Sequence, residues 1–114
     1  MIKLYRGDVI EVIAYCGRDK NGNPMFKPRP VVLLHPVNKH TDIISVYCTS
    51  KNDGDDGNNI FVEAGSPEGI QMGLTKDTYV RPNSQLNLPK ESFKRLLGKC
   101  PFMAKIMAIR ERYI

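Results

Sequence analysis

The sequence predicts a mainly β (α+β) fold, a small and strongly bent antiparallel barrel with one helix at its C-terminal end. Short segments rich in Val, Ile and Tyr recur at short intervals and are separated by turn residues, a pattern typical of small barrels. The apolar spacing becomes helical only after Pro101. The chain has 114 residues, enough for a single modest core, so we expect one domain over 1–114.

Six segments are predicted as strands. The first begins after Gly7, a natural boundary, and is rich in Val and Ile. The second lies between Pro30 and Pro36 and is apolar throughout, so it should be buried on both faces of the sheet. The third ends on hydroxyl residues just before a polar stretch. The predicted strands are 8–15, 31–34, 42–50, 59–64, 77–81 and 84–88.

Three connecting segments consist mainly of polar and turn residues. Residues 17–30 predict a long basic loop, which in so small a domain usually binds something, although a flexible hairpin connection is the alternative. Residues 65–69 predict a turn. The stretch 51–59 holds three aspartates, and the spacing of Asp53, Asp55 and Gly57 weakly resembles a calcium loop. The glutamate that such a loop needs downstream is missing, so a solvated turn is favoured.

The terminal helix is predicted from Phe102, Ile106 and Ile109, which fall on one helical face, with two methionines alongside. Pro101 suits the first turn of such a helix, because the N–H that proline lacks would have no partner there. Short strands followed by one amphipathic helix favour a barrel against which the helix packs.

Composition excludes several classes of protein. Hydrophobic residues make up 41% of the chain and charged residues 25%, which is ordinary for a folded protein and argues against disorder. The longest apolar run, 12–16, has five residues, whereas a membrane span needs about 20. Three cysteines without close spacing fit neither a disulfide framework nor a zinc site. We therefore expect a cytoplasmic protein with no membrane partner.

The formal net charge is +5, from 17 basic and 12 acidic residues. Such an excess favours a polyanionic partner such as nucleic acid, and simple solubility explains it equally well. The distribution of the charges is more informative. Residues 17–29 carry four basic side chains and one acidic side chain, whereas residues 90–112 carry seven basic side chains and two acidic ones. The net charge alone therefore does not locate a binding site.

Three segments, read in order, resemble the MazF/PemK family of toxin endoribonucleases from bacterial toxin–antitoxin systems. The first is RGDVIEV at 6–12, followed by KPRPVVLL at 27–34. The second is VYCTSK at 46–51. The third is GLTKDTYVRPNSQLNL at 73–88, after which LLGKCP at 96–101 introduces the closing helix. Each motif is weak by itself, and the resemblance rests on their order and spacing.

The resemblance implies an SH3-like barrel that forms a homodimer and acts as an mRNA interferase, inhibiting growth of the bacterial cell. Members cleave single-stranded RNA without a metal or other cofactor. The ribose 2'-hydroxyl attacks the adjacent phosphorus, which leaves a 2',3'-cyclic phosphate and a free 5'-hydroxyl. An antitoxin neutralises the enzyme, and here we expect an acidic, partly disordered segment that binds across the basic groove and displaces residues 17–28.

The resemblance also assigns roles to individual residues. Arg29 aligns with the active-site arginine of the family, Thr49 with its catalytic threonine and Ser50 with the neighbour of that threonine. A guanidinium group suits the charge that develops on a phosphoryl oxygen, because it offers several donors and stays ionised. Where one branch of the family carries an aspartate proposed as general base, this sequence has Asn83, whose amide cannot take a proton. The expected RNA-binding residues are Arg18, Lys20, Lys27, Arg81, Asn83 and Gln85.

Other reactive side chains have simpler interpretations. His35 and His40 lie in no matching motif, so we interpret them as strand-end and loop residues. Cys48 lacks an identifiable His–Asn pair and is expected to be a buried strand cysteine. Phe26 and Tyr47 are candidates for stacking on unpaired bases, although Tyr47 is equally well interpreted as a core residue.

Two alternatives to the ribonuclease remain open on the same fold. One is a non-enzymatic gyrase inhibitor resembling the CcdB toxins, which would act through the terminal helix and its segment AIRERYI. The other is an RNA-binding relative whose catalysis is impaired, and Asn83 keeps this alternative open.

Overall fold

The computed structural model describes residues 3–38, 40–51 and 58–112. Six strands form one curled antiparallel sheet, a half-barrel, in the order β4-β5-β3-β2-β1-β6. The strands are β1 (Asp8–Arg18), β2 (Pro24–Leu33), β3 (Ile43–Thr49), β4 (Ile60–Val62), β5 (Thr78–Leu88) and β6 (Phe93–Lys99). Two helices are α1 (Pro67–Met72) and α2 (Met103–Glu111), and a 3-10 turn covers Lys90–Ser92. The predicted mainly β fold with a C-terminal helix is confirmed.

The end of β2 is buried on both faces, as the apolar run 31–34 predicts. Val32 and Leu34 point into the larger of two apolar clusters, where Ile106 of α2 also lies. Val31 and Leu33 point the opposite way, into the smaller cluster. Side chains alternate along a strand, so a run of four apolar residues contributes to both sides of the curled sheet.

The predicted loop over 17–30 is wrong, because most of this segment is β-hairpin. β1 pairs with β2 along nearly its whole length, from Val9 opposite Val32 to Arg18 opposite Pro24. The turn itself is short: Asp19 Oδ1 accepts hydrogen bonds from the backbone N–H groups of Asn21 and Asn23, each at 2.9 Å. Polar composition indicated a loop, but backbone pairing with β1 needs no apolar side chains.

The two predicted strands 77–81 and 84–88 are one strand, β5, with a bulge in the middle. Arg81 lies opposite Tyr47, whereas Gln85 lies opposite Val46. Residues 82–84 are therefore extra on β5, and proline at 82 is tolerated because a bulge needs no donor for the ladder.

Two elements were missed by the sequence analysis. Residues 65–69, predicted as a turn, contain the start of α1, where the Ser66 hydroxyl caps the helix by accepting from Gly69 N–H at 3.1 Å. β6 was interpreted only as an approach to the terminal helix. The end of α1 packs so closely on β6 that a Cβ atom at Gly98 would collide with the carbonyl oxygen of Gln71. This contact closes the sheet toward a barrel.

The terminal helix packs as predicted, although it begins at Met103, two residues after Pro101. Ile106 and Ile109 are buried, and Phe102 packs against the larger cluster. In the part of the chain that the structure describes, no helix is long and apolar enough to cross a membrane. The aspartates considered for a calcium loop lie at 53–56, outside the described residues.

Candidate active site

A cleft lies where β2 and β3 separate. These two strands pair only from Val31 opposite Tyr47 to Leu33 opposite Ser45. Beyond this point β2 continues along β1, while β3 continues along β5 as far as Thr49. The cleft between them has a volume of about 430 Å³. Its walls include the three residues predicted to be catalytic, Arg29, Thr49 and Ser50.

Arg29 and Arg81 are held around one aromatic ring. The guanidinium carbon of each lies 5.8 Å from the centroid of the Tyr47 ring, within the range of a cation–π interaction. The two carbons are therefore at most about 12 Å apart, twice the ring distance. Arg81 reaches the ring because it lies directly opposite Tyr47 across β3 and β5. The Nε atom of Arg81 is buried and has no hydrogen-bond partner among the described residues.

Thr49 lies two residues beyond Tyr47 and therefore on the same face of β3. Its side chain is 8% exposed, and its Oγ1 accepts a hydrogen bond from the backbone N–H of Lys51 at 3.2 Å. With the oxygen engaged as an acceptor, the hydroxyl hydrogen is available to donate to a ligand. Ser50, in contrast, is exposed at the end of the strand. Arg29 and the Thr49 hydroxyl, which both line the cleft, are thus donors suited to a phosphate group. Arg81 contacts the same Tyr47 ring as Arg29 and is not among the residues that line the cleft.

The cleft is lined by four basic and two acidic side chains, and two of these charges pair with each other. Glu11 accepts from Arg95 Nε at 3.2 Å, and Asp77 Oδ1 accepts from the backbone N–H of Ala64 at 3.0 Å. Lys27, Arg29 and Lys76 make no ion pair within the described part of the chain. Apart from the Glu11–Arg95 pair, the three basic side chains outnumber Asp77, so the net charge of the cleft is positive, which favours an anionic ligand.

Several cleft residues were missed by the sequence analysis, namely Glu11, Lys76, Asp77 and Arg95. Arg95 could not be placed because β6 itself was not predicted. Lys76 and Asp77 stand inside the third family-like motif, GLTKDTYV, and their position there was the one signal that could have identified them. Glu11 reaches the cleft because it lies opposite both Pro30 and Arg95 in the sheet, a pairing that the sequence does not encode locally.

The structure brings only part of the predicted RNA-binding set to the cleft. Lys27 lines it, but Arg18 and Lys20 lie at the tip of the hairpin, where Arg18 Nη1 donates to Gly22 O at 2.6 Å. Asn83 lies in the bulge of β5, beside Arg81. The Gln85 side chain is engaged within the protein, accepting from Arg110 Nη2 at 2.7 Å and donating to Asn87 Oδ1 at 2.9 Å.

Cys48 lines the cleft without the character of a nucleophile. Burial, and to a smaller extent the nearby Cys100, raises the pKa of the Cys48 thiol to about 12, so it stays protonated near neutral pH. The prediction of a buried strand cysteine is confirmed. His35 and His40 are exposed and lie outside the cleft. Over residues 3–38, 40–51 and 58–112, no group of three or more His, Cys, Asp or Glu side chains is placed to hold a metal ion.

Two aromatic side chains project from the hairpin beside the cleft. Tyr15 and Phe26 are 56% and 60% exposed, and their rings meet edge to face at a centroid distance of 5.9 Å. Large exposed rings on a basic element suit stacking with unpaired bases. Tyr47, by contrast, is half-buried between the two arginines, so its ring face is already engaged.

A comparison with solved structures finds the same fold in a chain described as "Endoribonuclease in complex with its cognate antitoxin from Mycobacterial species". The TM-score is 0.60, and the match covers 96% of this chain and 92% of that one at 18% sequence identity. The protein has the fold of that endoribonuclease. At this identity the likeness establishes the fold, and it agrees with the resemblance to toxin endoribonucleases seen in the sequence. No protein-family model and no curated protein matches the sequence.

Proposed function

We propose that this protein is an endoribonuclease toxin that cleaves single-stranded RNA without a metal ion. The observation that carries the proposal is the placement of Arg29 and Arg81 around the Tyr47 ring, with Thr49 on the same face of β3. The positive cleft beside them and the fold shared with an endoribonuclease support it.

In the proposed reaction the ribose 2'-hydroxyl loses its proton and attacks the adjacent phosphorus. The P–O bond to the 5'-oxygen breaks, and that oxygen leaves with a proton, so the products are a 2',3'-cyclic phosphate and a 5'-hydroxyl. Arg29 stabilises the negative charge on the pentacoordinate phosphorus, Thr49 and Ser50 position that group, and Arg81 binds a flanking phosphate. Asn83 does not act as the base, because its amide has no basic site at neutral pH.

The partners in this proposal are RNA, a second copy of the chain and an antitoxin. The neighbour in the structure comparison is described as bound to its antitoxin. For this chain we propose an acidic segment that binds across Arg18, Lys20 and Lys27 on the basic hairpin and excludes RNA. Because residues 17–30 form paired strands and a short turn, we expect the segment to cover the hairpin and not to displace it.

Digestion of a mixed RNA pool in EDTA, with the cut ends mapped, tests the proposal. Wild-type protein should leave cyclic phosphate ends, and Arg29→Ala and Thr49→Ala should each slow cleavage by about a hundredfold or more, since each removes a transition-state donor. Arg112→Ala, which removes an exposed arginine at the end of α2, is the matched control and should cut at the wild-type rate. Intact RNA across many sequences would overturn the proposal. Trapping of gyrase on DNA would then support the CcdB-like alternative.

A further inference from the structure

The backbone of β2 presents alternate residues to its two neighbouring strands. Leu34 N–H donates to Ile44 O at 2.9 Å, on the β3 side, whereas Leu33 O accepts from Gly7 N–H at 2.9 Å, on the β1 side. Because N–H and C=O of one residue point the same way in an antiparallel strand, even-numbered residues of β2 face β3 and odd-numbered residues face β1. All three prolines of this strand, Pro24, Pro28 and Pro30, are even-numbered.

The register between β2 and β3 shows where the ladder stops. Leu33, Val32 and Val31 lie opposite Ser45, Val46 and Tyr47. Continued in the same register, Pro30 would lie opposite Cys48, Arg29 opposite Thr49, and Pro28 opposite Ser50. The ladder ends at this point because neither proline has an N–H to donate toward β3. Pairing with β1 is unaffected, and Pro30 and Pro28 stay opposite Glu11 and Ile13.

We propose that Pro28 and Pro30 are positioning residues that keep β2 and β3 apart, so that a phosphate can enter between Arg29 and Thr49. In a closed ladder these two side chains would be direct cross-strand neighbours, with Cβ atoms about 4.5–5.5 Å apart, and would contact each other in place of a ligand. The prolines prevent this at the two positions that flank Arg29. The inference rests on the proposed function, because it assigns the opening to RNA.

The variant Pro28→Val/Pro30→Val tests the inference, since valine restores both donors and favours strands. We expect the N–H gained at position 30 to donate to Cys48 O, its exchange with solvent to be at least tenfold slower than in an open strand, and the thermal midpoint to rise. Cleavage and the binding of an uncleavable 2'-deoxy-substituted RNA should both fall at least tenfold. Pro24→Val makes the same change in the same strand, beyond the end of β3, and should alter neither cleavage nor RNA binding. The single variant Pro30→Val serves if the double variant folds poorly.

Two outcomes would overturn the inference. Fast exchange of the new amide at position 30 would mean that the ladder does not extend, and slow exchange with wild-type cleavage would mean that the open strands are not needed for RNA. Gain of stability with loss of cleavage is the combination that a merely structural role of the prolines would not produce. If wild-type protein cuts no RNA, the proposed function fails, while amide exchange still decides whether the prolines break the ladder.

Discussion

Replacing Tyr47 by leucine should slow RNA cleavage even though Tyr47 need not touch the substrate. The ring holds two guanidinium groups, and its removal leaves Arg29 and Arg81 without the contact that fixes their separation. Leucine keeps an apolar side chain of moderate size at this half-buried position, so the sheet itself should survive. We expect the guanidinium groups of Arg29 and Arg81 to be less well positioned in this variant.

The magnitude follows from the distances. Each guanidinium carbon lies 5.8 Å from the ring centroid, close to the outer limit of about 6 Å for this interaction. At partly exposed sites one such contact contributes about 0.5–1 kcal/mol, so two contribute about 1–2 kcal/mol. Since about 1.4 kcal/mol corresponds to a tenfold change in rate, we expect kcat/KM to fall by roughly 5- to 30-fold.

The assay is single-turnover cleavage of one labelled RNA, with the thermal midpoint measured in parallel. Tyr47→Phe keeps the ring and removes only the hydroxyl, so it should retain nearly all activity. Wild-type kinetics in Tyr47→Leu would refute the argument that the ring positions the arginines. An equal loss in Tyr47→Phe would refute it differently, because the hydroxyl and not the ring face would then be responsible.

Two further predictions concern Arg110 of α2 and the buried Cys48. Arg110→Met removes the hydrogen bonds that Arg110 donates to Pro82 O (2.9 Å) and to Gln85 Oε1 (2.7 Å), which fix the β5 bulge next to Arg81. We expect the free energy of unfolding, measured with urea, to fall by about 1–2 kcal/mol and RNA cleavage to be slower. Arg112→Met should match wild type in both measurements. Burial raises the pKa of Cys48 from 9.0 to about 12, so the folded protein should lose stability as pH rises above 9, where only the unfolded thiol ionises. In Cys48→Ala this decline should be shallower by up to about 1.4 kcal/mol per pH unit between pH 9 and 11, and an unchanged slope would contradict the assignment.

The elements that the sequence predicted well are those whose side chains are recognisable locally. The run 31–34 is apolar at every position, and it is buried on both faces. The terminal helix repeats its apolar residues at helical spacing, and Ile106 and Ile109 are buried as predicted. In both cases burial alone determines the pattern, so no knowledge of the neighbouring strands is needed.

The elements that were missed depend on pairing with distant strands. β6 lies at the edge of the sheet and has the sequence FKRLLGK. Because this edge strand is partly exposed, its apolar and polar residues do not alternate as in a buried strand, and the sequence does not show the strand pattern. β5 reads as two strands because Pro82 and Asn83 are turn residues, yet a bulge absorbs them and the strand continues. Neither the edge nor the bulge leaves a local signature strong enough to outweigh composition.

The candidate site likewise contains residues that the sequence predicted and residues that it did not. Arg29, Thr49 and Ser50 were identified through a resemblance, and the structure places all three along one cleft. The contact of Tyr47 with two arginines could not be predicted, because it depends on the register of β3 with β5. Glu11 reaches the cleft for the same kind of reason. Side chains far apart in sequence become neighbours through strand register, which composition and spacing do not reveal.

The prolines of β2 show how a segment with the composition of a loop can still form a strand. Proline usually signals the end of a strand because it lacks a ladder donor, and Pro24 was one of the turn residues that, together with the basic side chains, predicted a loop over 17–30. The missing donor matters on one side only. Pro24, Pro28 and Pro30 are all even-numbered, so each faces away from β1, and the hairpin with β1 stays intact. Prolines confined to every second residue of a strand thus leave only one of its two edges without hydrogen-bond donors. In this protein that edge of β2 is the wall of the cleft at Arg29.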